Sequence, residues 1–125
     1  MEEPYVDFRQ LNGEKGENCG ELSTITIGQY TITLEFLGDC TFSVESGLKH
    51  IGPDGDLISQ FFLGERSDYL TIHNLVGRRV KRFSVISSDE FSIEFVTGDE
   101  IRIVRRRDSL ESCSAFIEKR TFIIS

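Results

Sequence analysis

The 125-residue chain is of single-domain length, and its 38% hydrophobic and 28% charged residues exclude a wholly disordered or fibrous chain. A formal net charge of −7 disfavours nucleic acid or an anionic membrane as a partner of the whole fold. Ten Phe against one Met and no Trp predict a core of aromatic and β-branched side chains.

Residues 1–21 place Pro4, Gly13, Gly16 and Gly20 among many charges, with Phe8 and Leu11 as the apolar anchors. The 12–20 stretch reads as a mobile loop. The start, Met1-Glu2-Glu3-Pro4, lacks the basic-then-apolar order of a secretory signal. No apolar run approaches the roughly 20 residues needed to span a bilayer. A soluble, cytoplasmic protein is the expectation. Cys19, Cys40 and Cys113 are widely spaced with no CxxC pair, which argues against a zinc or thioredoxin-like redox site. Reduced thiols are the simpler reading, and a disulfide between two of the three stays open.

Leu22 to Gly28 predicts a strand with Ile25 and Ile27 on one face, followed by a tight turn at Gly28-Gln29. Tyr30, Ile32, Leu34 and Phe36 then alternate with polar residues. A turn at Gly38-Asp39 follows, and Cys40, Phe42 and Val44 resume the alternation. Period two sets one face of a strand on a core and the other in water, so this is a hairpin. Beyond it, Ser46-Gly47 and Gly52-Pro53-Asp54-Gly55-Asp56 are turn-forming clusters. Leu48 and Ile51 extend the strand or cover its end. The apolar run from Leu57 to Leu63 is too short to assign by period, and the reading favours a helical turn or an irregular segment.

The second half opens with Tyr69 to His73 and Leu75-Val76-Gly77, then a basic strand from Arg78 to Ile86 and a turn at Ser88-Asp89. Phe91, Ile93 and Phe95 alternate, and Thr97-Gly98-Asp99 turns into Ile101 and Ile103. Asp108 and Glu111 resemble a capping box, predicting a helical turn near 109–114. Phe116 to Ile124 reads as one final strand. A shift of 59 residues carries Ile32, Leu34, Phe36, Phe42 and Val44 onto Phe91, Ile93, Phe95, Ile101 and Ile103 without a gap. Two meanders with one apolar face each are best stabilised face to face. The fold expectation is therefore mainly β: an antiparallel sandwich or partly open barrel of two similar meanders, with one or two short helical turns. The whole chain forms one domain, with a partly flexible segment over 1–21 and meanders over 22–68 and 69–125.

Nothing in the sequence carries an enzyme motif. His50 and His73 belong to no Ser, Cys or metal pattern. The alternation turns His73 away from the apolar side, and His50 is expected at the surface. Asp54-Gly55-Asp56 superficially suggests a calcium loop, but Ile58 and Ser59 stand where an oxygen ligand and Gly are needed, although Glu65 falls at position twelve. No phosphate-cradling glycine motif is present. No metal or cofactor is expected. The basic clusters Arg78–Arg82 and Arg105–Arg107 fall at opposite ends of a meander and read as charged strand faces that blunt edge pairing.

The pattern Leu75-Val76-Gly77-x-x-Val80, with its hairpin, Gly-Asp turn and Ile-x-Ile, resembles small uncharacterised bacterial β-proteins. So does Ile25-x-Ile27-Gly28-x-Tyr30-x-Ile32-x-Leu34-x-Phe36 leading to Val44-Glu45 and a later Pro-Asp-Gly. Together these patterns cover most of residues 22–116. Some such proteins are encoded beside polymorphic or contact-dependent toxins in the manner of immunity proteins. That resemblance implies no catalytic residue, only a surface complementary to a toxin. Charge placement agrees: residues 1–75 hold thirteen acids against four bases, and residues 76–125 hold ten bases against eight acids. The leading expectation is a non-enzymatic protein-binding inhibitor of a basic toxin domain. Asp39, Glu45, Asp54, Asp56, Glu65 and Asp68 are the candidate contacts. A self-associating β-module, monomer or homodimer, and a small-ligand pocket lined by Tyr30, Tyr69 and several Phe are the competing readings.

Overall fold

The structure, a computed structural model, describes residues 5–62, 71–106 and 112–125. Apolar alternation produces ten antiparallel strands: β1 (Leu22–Ile27), β2 (Ile32–Phe36), β3 (Cys40–Val44), β4 (Gly47–Ile51), β5 (Leu57–Phe62), β6 (Val80–Ser87), β7 (Glu90–Phe95), β8 (Glu100–Val104), β9 (Cys113–Ile117) and β10 (Arg120–Ile124). They form two five-stranded sheets, in the orders β1-β2-β3-β9-β10 and β5-β4-β8-β7-β6. The sheets face each other as an open sandwich.

The two meanders do not stay apart. After Val44 the chain crosses to the second sheet, where β4 pairs with β8, matching Leu48 to Ile103. After Val104 it crosses back, and β9 pairs with β3, matching Cys113 to Val44. Each half thus contributes three strands to one sheet and a two-stranded hairpin to the other, so the two halves are exchanged around an approximate two-fold axis. The outbound crossover is short and the return, between Val104 and Cys113, is longer. This explains why the gapless 59-residue alignment ends at Ile103. Ser46 ties the crossovers together. Its hydroxyl donates to the carbonyls of Val104 and Ser112, and the Glu45 and Ser46 amides also donate to Ser112 O.

Two segments differ from their sequence reading. Leu57–Phe62 is strand β5 and not a helical turn: its pairing with β4 supplies the register that a short apolar run cannot announce by itself. Phe116 to Ile124 is interrupted by a turn at Glu118 and Lys119, both at positive φ (48° and 69°), which makes the β9–β10 hairpin. The expected helical turn near 109–114 lies partly outside the described residues, and Cys113 already belongs to β9.

All five residue pairs of the 59-residue repeat are buried. Phe42 and Phe91 meet across the sheets at 5.8 Å, and Phe8 stacks on Phe91 at the same distance. Phe8 and Leu11 anchor the N-terminal segment through a 3-10 turn (Phe8–Leu11). A second 3-10 turn (Glu17–Cys19) brings Cys19 to Cys40, and the two are joined by a disulfide. Sequence alone reads more simply as three reduced thiols.

Candidate functional site

One end of the sandwich gathers the turns Leu37–Asp39, 52–56, 97–99 and 118–119, together with a 3-10 turn (Thr71–Leu75). Backbone bonds lace this end: Gly38 N donates to Cys19 O, Glu118 N to Asp39 O, and Leu22 N to Arg78 O. Asp39, Asp54 and Asp56 stand exposed at its tips. None of the three has a side-chain ion pair among the described residues. Glu45 lies at the opposite end, half-buried beside the crossover, so the structure does not bring it to the others. Glu65 and Asp68 lie outside the described residues.

The basic residues are differently placed. Lys81 and Arg82 pair with Glu94 at 3.7 and 3.0 Å. Arg102 reaches Glu100 at 3.1 Å and Glu90 at 3.7 Å, and Arg105 holds Asp89 at 2.8 Å. The exposed pairs, those of Lys81 and Arg82, stabilise by no more than about 1 kcal/mol each. The effect of all these pairs is to cancel that positive charge locally, whereas Arg78, Arg79 and Lys119 stand exposed at the same end as the acidic turns, with no side-chain ion pair among the described residues.

Under the acidic tips lies a polar relay that the sequence reading missed. His50 is 4% exposed, not at the surface, because β4 turns it to the core face beside Ile101. Its Nε2 is 2.8 Å from Asp99 Oδ2 and its Nδ1 is 2.6 Å from Thr71 Oγ1. Thr71 Oγ1 is in turn 2.6 Å from Ser59 Oγ. The Asp99 carboxyl is held below its ordinary range: burial raises it, but the Thr97 hydroxyl and the His50 ring outweigh burial. With Asp99 ionised, Nε2–H must donate to it, Thr71 O–H donates to Nδ1, and Ser59 O–H donates to Thr71. An Asp–His–Thr line has the same order of groups as an activated hydroxyl nucleophile. Here, however, Thr71 is only 5% exposed and its hydroxyl also bonds Ser59. What the relay does is tie β4, β5, the 97–99 turn and the Thr71–Leu75 turn into one unit. The signal that could have found it was the break in alternation at His50, a polar residue in phase with Leu48.

His73 is exposed next to buried Ile72, in a 3-10 turn and not on an alternating strand. Tyr30 is 59% exposed and lines no space between the sheets; Tyr69 lies outside the described residues. A surface recess of about 290 Å3 is bordered by residues 14–17 and 81–83. Among the described residues, no group of three or more His, Cys, Asp or Glu side chains is placed to hold a metal, and no helix is long and apolar enough to cross a membrane.

No protein-family model matches this chain, and comparison with curated proteins and with solved structures likewise gives no match.

Proposed function

We propose that this chain is a non-enzymatic protein-binding module, in the manner of an immunity protein that neutralises a basic, nuclease-like toxin domain through its acidic end. The observation that carries this reading is the placement of Asp39, Asp54 and Asp56 at one end of the sandwich, exposed and with no side-chain ion pair among the described residues, in a chain of net charge −7. Loops carried on a rigid scaffold are the usual place for recognition, and an acidic surface steers a basic partner by long-range attraction. The buried Thr71 and His50 favour binding over chemistry.

The test begins with the neighbouring reading frame, which should encode a basic, nuclease-like domain, and continues with calorimetric titration of the purified protein with that domain at low and high salt. Affinity should fall steeply with salt, and reversing Asp39, Asp54 and Asp56 to Lys together should weaken it by at least about 100-fold. Affinity indifferent to salt and to the triple reversal would remove this reading.

A further inference from the structure

Two five-stranded sheets have four edges, and exposed edges pair with other strands unless something blocks them. Two of the four are blocked along their length and a third, β1, only at its start. β1 is laced to the residues before β6 only at its first residue, where Leu22 N donates to Arg78 O (3.0 Å) and Gly77 N to Leu22 O (2.7 Å), with Val80 N donating to Gly20 O (2.9 Å) just before it. Residues 23–27 stay open on that side among the described residues. β6 carries two register shifts and the charged Lys81 and Arg82. β10 is covered by the N-terminal segment, with Gln10 Nε2 donating to Ile123 O and Ser125 N to Val6 O. The β5 edge likewise has no strand on its outer side among the described residues. Its sequence, Leu-Ile-Ser-Gln-Phe-Phe, holds no charge and no Pro, and Leu57 and Ile58 are each about half exposed.

The outward hydrogen-bonding groups of β5 follow from the ladder. Phe95 N donates to Asp99 O, so odd residues of β7 bond to β8 and even residues of β8 bond to β4, since successive residues of an antiparallel strand address opposite neighbours. Through the pairs Lys49 with Arg102 and Leu48 with Phe61, Leu48 and His50 then bond to Phe61 and Ser59. Gln60 and Phe62 therefore aim their N–H and C=O groups away from the sheet. Ser59 is fixed by the relay to Thr71, which holds this edge in place. Asp54 and Asp56 stand at the start of the same strand.

From this arrangement we infer that β5 is a strand-addition site for an extended segment of the partner protein, apolar at alternate positions and ending in Lys or Arg against Asp54 and Asp56. This inference rests on the protein-binding reading above and names where and how the partner docks. Main-chain bonds to Gln60 and Phe62 supply affinity, and the alternating side chains and the terminal cation supply register. A second copy of this chain fits the edge less well. It brings a net charge of −7 and an uncharged β5 that offers Asp54 and Asp56 no cation.

The probe is a fluorescein-labelled eight-residue peptide, alternating Val and Thr with two terminal Lys, followed by anisotropy. Saturable binding is expected, with amide exchange slowed at Gln60 and Phe62. Gln60→Pro removes one outward N–H and leaves the β4 ladder, and should weaken binding about fivefold to tenfold. The same peptide N-methylated on alternate amides should lose binding to the unaltered protein, whether or not Gln60→Pro folds. Replacing the two Lys by Glu should weaken binding, and Asp54→Lys with Asp56→Lys should restore the Glu peptide. Equal binding of the N-methylated peptide, or unchanged exchange at Gln60 and Phe62, would overturn strand addition. Those results would leave the acidic-surface reading standing, which fails only if the basic domain ignores the triple charge reversal. A doubled solution mass that the peptide does not reduce would instead assign the edge to a second copy and overturn the inference.

Discussion

Protonating His50 would reverse every hydroxyl in its relay, because a charged imidazole donates from both nitrogens. Thr71 would then accept from Nδ1 and donate to Ser59. The relay survives only while the Thr71 hydroxyl bridges His50 and Ser59. Thr71→Val keeps the shape, strands the buried His50 nitrogen and the half-buried Ser59 hydroxyl, and should cost about 1–3 kcal/mol by urea unfolding; Thr71→Ser should recover most of it. A second residue-scale expectation concerns Asp7, 4% exposed, which accepts from the Arg9 amide at 3.0 Å and the guanidinium at 2.6 Å. The Arg9 side chain, against the opposing effect of burial, holds the Asp7 carboxyl at about 2, below the unfolded value of about 3.9. Its stabilising contribution is present above pH 4 and disappears as pH falls towards 2. Asp7→Asn should therefore flatten the acid limb of a stability–pH curve between those limits and lower stability at pH 7.

At the scale of elements, the Cys19–Cys40 bond ties the N-terminal segment to β3 across a sequence separation of 21. A loop of that size is worth about 3 kcal/mol in the chain-entropy account. Reduction, or Cys19→Ala with Cys40→Ala, should lower unfolding free energy by that amount, and thiol titration of the denatured, unreduced protein should find one thiol. Gly38 is bound to the same place. A side chain there would meet the Asn18 carbonyl, and Cys19 O at 3.1 Å. Gly38→Ala should cost at least about 2 kcal/mol, since backbone on both sides must move. Those contacts show where the sequence was readable. Alternation at Ile32–Phe36 and Phe91–Phe95 is a local property, and it marked β2, β7 and their hairpins correctly. β5 was not legible, because Leu57–Phe62 owes its strand form to β4. Nor was the relay, which joins His50, Ser59, Thr71 and Asp99 from four separate segments. The acidic tips were partly legible: Asp39, Asp54 and Asp56 sit in recognisable turns, whereas nothing local reveals that Glu45 lies at the other end.

At the scale of the molecule, exchange of hairpins makes each half dependent on the other. Residues 71–125 contain β6, β7 and β8 of one sheet, but β9 and β10 must pair with β3. Residues 5–62 contain β1, β2 and β3, but β4 and β5 must pair with β8. Neither half alone can cover its apolar faces, because Phe42 needs Phe83 and Phe91 from the other half. A chain divided between Phe62 and Thr71 should give two fragments without a cooperative unfolding transition. Mixed in equal amounts, they should regain β-sheet circular dichroism and a single transition, at a midpoint that rises with concentration because association is now bimolecular. The disulfide lies wholly in the first fragment, so reduction should weaken the complex without separating it by itself. The intact chain should fold in milliseconds to seconds, since its strand pairs join distant segments and loop closure precedes their stabilisation. If residues 71–125 folded cooperatively alone, the exchanged architecture would not be what holds the sandwich together, and β9 would have to find a partner other than β3.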